Sequence, residues 1–289
     1  MLKALFIAMR PRQWVKNIFI FAPLVFDKKL TDLPALMITF AGAVLFSMVA
    51  SSIYLLNDIA DLKADRQHHR KKLRPIASGA LPISAARASA LVLLITSLVL
   101  AFLISPAFFL VCLVYFILNL SYSLWLKHIV VLDVMLLSSF YVLRVVAGVA
   151  IIEVERFSPW LYLAASSVAL VMGIGKRRAE LLKAQGDENN TRKVLQNYTL
   201  PYLDNLLMIV ITITIMTYSL YTFVAPNLPE SQITMLTIPF VIFGVFRYLY
   251  LLQVEGHGEA PEEIVLSDFP FIVNILIWGL SIIAIFYLL

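Results

Sequence analysis

Apolar residues run along this chain in long unbroken blocks rather than in alternation. Nine such runs stand out: 14–27, 33–56, 85–105, 107–122, 129–152, 159–175, 202–224, 233–253 and 269–289. Each comes near the ~20 residues that a helix needs to cross the hydrocarbon of a bilayer, allowing for tilt. None shows the period-two alternation of a membrane β-strand. The pattern predicts an all-α polytopic membrane protein with about nine transmembrane helices. The first run is the weakest, because Lys16 and Asn17 interrupt it. Composition agrees, with 61% hydrophobic and only 14% charged residues, a balance that no soluble domain carries. No low-complexity segment separates the runs, so residues 1–289 read as one domain.

Charge then gives an orientation. With the N-terminus inside, seventeen Lys and Arg fall in inside segments, and only Lys28, Lys29 and Arg156 fall outside. Arg87, Arg144 and Arg247 are left within helices. This asymmetry predicts a multi-pass protein of the cell membrane whose N-terminus and long polar loops are cytoplasmic. The net charge of +5 is therefore a one-sided field. Part of it is topology signal and part attracts an anionic substrate or lipid, with no nucleic-acid partner expected. The lone Cys112 excludes a disulfide framework or a cysteine metal site within the chain. Arg10 and Arg12 interrupt the first apolar stretch and no small-residue cleavage site follows, so no cleavable signal is expected.

The chemistry concentrates where the second apolar run ends, in Asn57-Asp58-Ile59-Ala60-Asp61-Leu62-Lys63-Ala64-Asp65. On a helix Asn57, Asp61 and Asp65 recur every four residues and Asp58 precedes Asp61 by three, so the four share roughly one face. Clustered carboxylates repel unless something positive lies between them. Mg²⁺ suits that place, because it takes a few carboxylate oxygens and completes its shell with water and substrate phosphates. The bases Arg66, Arg70, Lys71, Lys72 and Arg74 follow at once. Acids fit to hold a metal beside bases fit to hold phosphate point to a diphosphate substrate at a membrane surface. Beyond Arg74, Pro75, Gly79 and Pro82 punctuate a loop able to fold back over the acids. A second long inside loop, 176–201, opens with Lys176, Arg177 and Arg178. These three read either as a dipole complement and headgroup anchor or as a phosphate clamp.

The motif Asn-Asp-x-x-Asp-x-x-x-Asp at a helix end, in a chain of about nine membrane helices, resembles the UbiA-type intramembrane prenyltransferases along essentially its whole length. The resemblance implies a UbiA-like bundle with cytoplasmic cap loops, and it implies Mg²⁺ held on a diphosphate by Asp58, Asp61 and Asp65, with Asn57 orienting. Ordinary members carry a second Asp-rich motif after the sixth helix; here that place holds Lys176-Arg177-Arg178-Ala179-Glu180-Leu181. Further stretches resemble the decaprenyl-phosphate phosphoribosyltransferase branch. They are Arg10-Pro11-Arg12-Gln13-Trp14-Val15-Lys16-Asn17, Arg74-Pro75-Ile76-Ala77-Ser78-Gly79, Tyr122-Ser123-Leu124-Trp125-Leu126-Lys127, Leu132-Asp133-Val134, Leu143-Arg144-Val145-Val146-Ala147-Gly148 and Arg247-Tyr248-Leu249-Tyr250. His69 stands where proline is expected in that branch. The branch implies transfer of 5-phosphoribose from phosphoribosyl diphosphate to a polyprenyl phosphate, with diphosphate released and cell-wall arabinose donor synthesis as its setting.

Under that resemblance the substrate-binding candidates are Lys16, Asn17, Asn57, Arg66, Lys72, Arg74, Tyr122, Lys127, Lys176, Arg177 and Arg178. Lys176, Arg177 and Arg178 are expected to hold the 5-phosphate. Asp58, Asp61 and Asp133 are the catalytic candidates. Asp133 and Arg144 lie three helical turns apart on one face, Asp133 being a candidate for ribose hydroxyls or metal and Arg144 for a structural pair. Lys16 and Asn17 break an apolar run, a cost that a phosphate-facing role would explain. Trp14 reads as an interfacial belt residue. Two other readings stay open: an aromatic prenyltransferase using a polyprenyl diphosphate, and a non-catalytic transporter or lipid-binding protein.

Overall fold

The computed structural model describes every residue except 70, 153, 155–157, 185–192, 226–227, 230, 257–266 and 289. Among the described residues the chain is helical and contains no strand. The principal helices are α1 (Leu2–Ala8), α2 (Ala22–Phe26), α3 (Leu33–Ala60), α4 (Leu62–Gln67), α5 (Ile83–Ile104), α6 (Pro106–Leu124), α7 (Leu132–Ile151), α8 (Pro159–Ala184), α9 (Leu200–Val224), α10 (Ile238–Gln253) and α11 (Phe269–Tyr287). Three of the long helices start on one local device. In Asp32-Leu33-Pro34, Thr199-Leu200-Pro201 and Asp268-Phe269-Pro270 a side-chain oxygen accepts from a backbone N–H of the first turn, and proline occupies a position whose own N–H is not needed.

Seven helices among the described residues are long and apolar enough to cross a membrane. The two remaining apolar runs take other forms. Run 14–27 becomes an eleven-residue 3-10 segment, Pro11–Phe21, followed by the short α2. Run 159–175 is continuous with the charged segment after it, because Ala179, Glu180, Leu181, Leu182, Lys183 and Ala184 are good helix formers. Lys176, Arg177 and Arg178 therefore lie inside α8 rather than at the start of a loop. Residues 185–192 of the second long loop fall outside the described residues.

The chain divides into two compact units: 1–24, 29–124 and 143–153 form one, and 25–28, 125–142 and 154–289 form the other. In the first unit α3 packs against α5, α6 and the Pro11–Phe21 segment. The buried face of α5 is made only of Ala86, Ala90, Ser97 and Ala101, while Val92, Ile95, Phe102 and Leu103 are exposed. Small residues inward and large apolar residues outward is how helices pack when lipid is the solvent, since close backbone approach replaces hydrophobic burial as the source of contact. Gly148 on α7 is required by that closeness: a β-carbon there would collide with the carbonyl oxygen of Ile20.

In the second unit α8 and α9 form the main helix pair. Val171, Ile174, Leu203, Leu207, Leu251 and Leu252 share its core. A β-carbon on Gly173 would crowd Ser138 and Val134 of α7, and one on Gly175 would strike the Tyr248 ring on α10. The two glycines thus let α8 come close to its neighbours just before its cationic turn. Together, the apolar helices and their outward-facing apolar side chains make this an integral, multi-pass membrane protein.

Candidate active site

The acid motif straddles a helix break. Helix α3 ends at Ala60, Asp61 takes φ −85° and ψ 4°, and α4 starts at Leu62. That break divides acids that one unbroken helix would keep on a common face. Asp58 and Asp65 turn inward and are almost wholly buried, whereas Asp61 is exposed and Asn57 half-buried. Arg74 lies between the two buried carboxylates, its Nη1 donating to Asp58 Oδ1 at 3.2 Å and to Asp65 Oδ2 at 2.7 Å. Arg10 Nη2 donates to the same Asp58 oxygen at 2.5 Å, with its guanidinium 5.0 Å from the centre of the Tyr54 ring.

Local sequence explains how Arg74 gets there. After Lys71–Leu73 the chain turns through Pro75 and Gly79, whose φ of +81° favours glycine. Leu81 N–H donates to Pro75 O. Ile76 and Leu81 bury against Ala8, Leu55, Ala86 and Ala90, which pins the loop over the end of α3. Arg66 Nε donates to the Ala77 carbonyl at 3.3 Å, so Arg66 braces this loop. Lys72 is exposed, and Lys16, Tyr122 and Lys127 are half-buried.

Asn17, a candidate to face a phosphate, is engaged within the protein. It is buried, its Nδ2 donating to Ser47 Oγ at 2.7 Å and its Oδ1 accepting from Arg144 Nε at 2.9 Å. Arg144 also donates to the Tyr115 hydroxyl at 3.0 Å and lies over the Phe46 and Tyr115 rings. The cost of a polar residue in the first apolar run is thus offset by an internal network. Trp14 donates to Ser51 Oγ at 3.0 Å and sets its ring edge-on to Phe6, so it too has a partner within the protein.

The second unit has its own charge cluster. Asp133, expected to meet ribose or metal, is fully buried with both oxygens engaged by the protein. Its Oδ2 accepts from Arg177 Nε at 2.5 Å, and its Oδ1 accepts from the Tyr198 hydroxyl at 2.7 Å. Arg177, expected as a phosphate fork, is equally buried and also pairs with Glu180 one turn along α8. The Tyr198 hydroxyl accepts from the Val131 N–H at 2.7 Å. Burial, and then the bond to Asp133, raise the Tyr198 phenol above its usual range, so it stays a donor. Arg178 Nε donates to Asp204 Oδ1 at 2.6 Å and its Nη1 to the Leu252 carbonyl at 3.0 Å. Both arginines are therefore committed within the protein, for the reason that Asp133 and Asp204 reach them from α7 and α9. Lys176 remains half-buried.

Several of these residues escaped the sequence reading. Arg10 carried a signal, an Arg-Pro pair just before the weakest apolar run. Tyr198 and Asp204 carried none, because their partners lie 65 and 26 residues away.

The donor set of the first unit fits a divalent cation. Among the described residues no group of three or more His, Cys, Asp or Glu comes together around one point. Two buried carboxylates do face a single cationic nitrogen. Mg²⁺ is commonly held by one or two carboxylates, with substrate oxygens and water filling the rest of its shell.

Known proteins match this chain over most of its length. The UbiA prenyltransferase family profile matches residues 18–262. A decaprenyl-phosphate phosphoribosyltransferase of Corynebacterium glutamicum is 37% identical over 291 residues, 98% of this chain and 86% of that protein. The protein of the same name from Mycobacterium tuberculosis is 37% identical over 267 residues, 90% of this chain and 87% of that one. A solved UbiA homolog from Archaeoglobus fulgidus, bound to GPP and Mg²⁺, superposes with a TM-score of 0.73, covering 98% of this chain and 99% of that one at 19% identity, which shows a shared fold. The chain belongs to the UbiA prenyltransferase family.

Proposed function

We propose that the protein transfers 5-phosphoribose from phosphoribosyl diphosphate to a polyprenyl phosphate of the decaprenyl kind and releases diphosphate. The observation that carries this reading is the 37% identity, across 98% of the chain, to a relative named decaprenyl-phosphate phosphoribosyltransferase. The cationic turn of α8, where ordinary members of the family have a second acid motif, supports it against aromatic prenyl transfer.

Asp58 and Asp65 are the residues to hold Mg²⁺, with the exposed Asp61 on the same chain segment as a third donor and Asn57 orienting. Bound there, Mg²⁺ would supply charge neutralisation of the departing diphosphate. Arg74 and Arg10 place positive charge against the same acids, and Arg66 and Lys72 are assigned to the diphosphate, Arg66 while bracing the loop and Lys72 from the solvent side. Lys176 is assigned to the 5-phosphate. Asp133, Arg177 and Tyr198 act as positioning residues that hold the α8 turn carrying Lys176. The acceptor phosphate is already an anion and needs no strong general base. Catalysis is then positioning together with electrostatic stabilisation of an oxocarbenium-like ribose, with attack opposite the leaving group. In this reading the N-terminus and the acid motif face the cytoplasm, where a soluble donor is available.

The test is diphosphate release. Purified protein with Mg²⁺ should liberate diphosphate from phosphoribosyl diphosphate only when polyprenyl phosphate is present. EDTA and Asp58→Asn should each stop it. Diphosphate released instead from a polyprenyl diphosphate plus an aromatic acid would make the protein an aromatic prenyltransferase.

A further inference from the structure

Asp58 and Asp65 are 3% and 2% exposed, and buried carboxylates of that kind are not left without a cation. The cations present are unevenly placed. The side chains of Arg10 and Arg74 are 32% and 29% exposed, so the acids lie on the inner side of the pair and the guanidinium groups on the outer side. Arg177 differs, being fully buried with its acid. Arg10 also holds a left-handed backbone conformation, φ +55°, which an L side chain seldom adopts without external restraint. Its N–H donates to the Ile7 carbonyl and its own carbonyl accepts from Gln13 N–H, while its side chain reaches the Asp58 carboxylate and the Tyr54 ring. Long, partly exposed side chains can leave such pairs without opening the core.

We propose that Arg10 and Arg74 are resident counter-ions of the Asp58–Asp65 pair. A divalent cation arriving with a diphosphate displaces them from the carboxylates, and they then turn to the diphosphate oxygens. The exchange keeps charge balanced: the acids trade two guanidinium groups for one divalent ion, and the freed guanidinium groups meet the anion that came with it. Guanidinium suits both stations, since its planar fork matches carboxylate and phosphate alike. The ligand-free protein is therefore self-neutralised, and bare metal must compete with its own arginines. This rests on the reading of Asp58 and Asp65 as metal ligands.

The exchange predicts effects of opposite sign from one substitution. Mn²⁺ serves as the probe, its binding followed by electron paramagnetic resonance in wild type, Arg74→Gln, Arg10→Gln, Arg74→Lys and Asp58→Asn. Titrations use Mn²⁺ alone and the preformed Mn²⁺–inorganic diphosphate complex. Arg74→Gln should bind bare Mn²⁺ about tenfold or more tightly than wild type, the size of a lost hydrogen bond to a charged group. It should bind the diphosphate complex more weakly by a similar factor. Arg74→Lys keeps the charge but not the fork and should fall between wild type and Arg74→Gln in both, and Arg10→Gln should follow Arg74→Gln and supply the reading if that variant does not fold. Both affinities falling together, or bare Mn²⁺ binding unchanged, would overturn the exchange and leave the arginines structural. A wild type that binds the complex no better than Asp58→Asn would instead overturn the metal assignment beneath it.

Discussion

Removing the charge of Asp133 tests how the second unit is held together. Asp133→Asn keeps the shape of the side chain and one acceptor but leaves Arg177 facing a neutral group. The pair is fully buried with Nε and Oδ2 2.5 Å apart. At an effective dielectric of ~20 the gross attraction is about 7 kcal/mol, much of it offset by desolvation. Breaking one partner of such a pair costs about 3–5 kcal/mol, because the other charge is stranded. Glu180 still contacts Arg177, so the lower end, about 3 kcal/mol, applies. At ~2–4 °C per kcal/mol for a domain of this order of size, the ligand-free protein in detergent should lose about 6–12 °C in Tm, followed by intrinsic fluorescence. Asp133→Leu with Arg177→Met removes the buried pair but leaves Glu180 and the Tyr198 hydroxyl without these partners, so it should recover only part of that loss. Asp133→Asn within about 2 °C of wild type would overturn the stranded-charge explanation, as would a double variant much less stable than the single one.

Other consequences follow from the same geometry. Asp61 is exposed, so Asp61→Asn should leave Tm within about 1–2 °C, as for an ordinary surface change of under ~0.5 kcal/mol. Its turnover should still fall at least about a hundredfold if the residue completes the metal's shell. Asp58→Asn should lose both turnover and Tm, and paired activity and melting measurements on the two variants check the split. Gly148→Ala forces a β-carbon onto the Ile20 carbonyl and should cost ~1–3 kcal/mol as overpacking, read as a lower Tm and lower folded yield. Lys176→Gln should raise KM for phosphoribosyl diphosphate about tenfold or more while leaving KM for the lipid nearly unchanged; equal changes would remove the 5-phosphate from Lys176.

How much was legible in the sequence depended on how far each residue's partners lie along the chain. Long apolar runs became helices because a run states its own structure, and the Asp-x-Pro and Thr-x-Pro starts are local signals of the same kind. The acid motif was visible as a motif, but the break at Asp61 that separates Asp58 and Asp65 from Asp61 was not. The first apolar run became a 3-10 segment, and Asn17 within it meets Ser47 and Arg144, 30 and 127 residues away. Nothing near Asn17 announces either partner. Arg177 and Arg178 looked like open cations because Asp133 and Asp204 lie 44 and 26 residues off. A lone charge in an apolar run was therefore a sound sign that a partner existed and a poor guide to which one.

Phosphoribosyl transfer itself is read by intact-lipid mass spectrometry. Protein, Mg²⁺, phosphoribosyl diphosphate and a short polyprenyl phosphate are incubated in detergent, and the lipid is weighed. Transfer yields a lipid heavier by one phosphoribosyl group, absent with EDTA and absent with Asp58→Asn. An unchanged polyprenyl phosphate, beside a prenylated aromatic acid when polyprenyl diphosphate is offered, would contradict it.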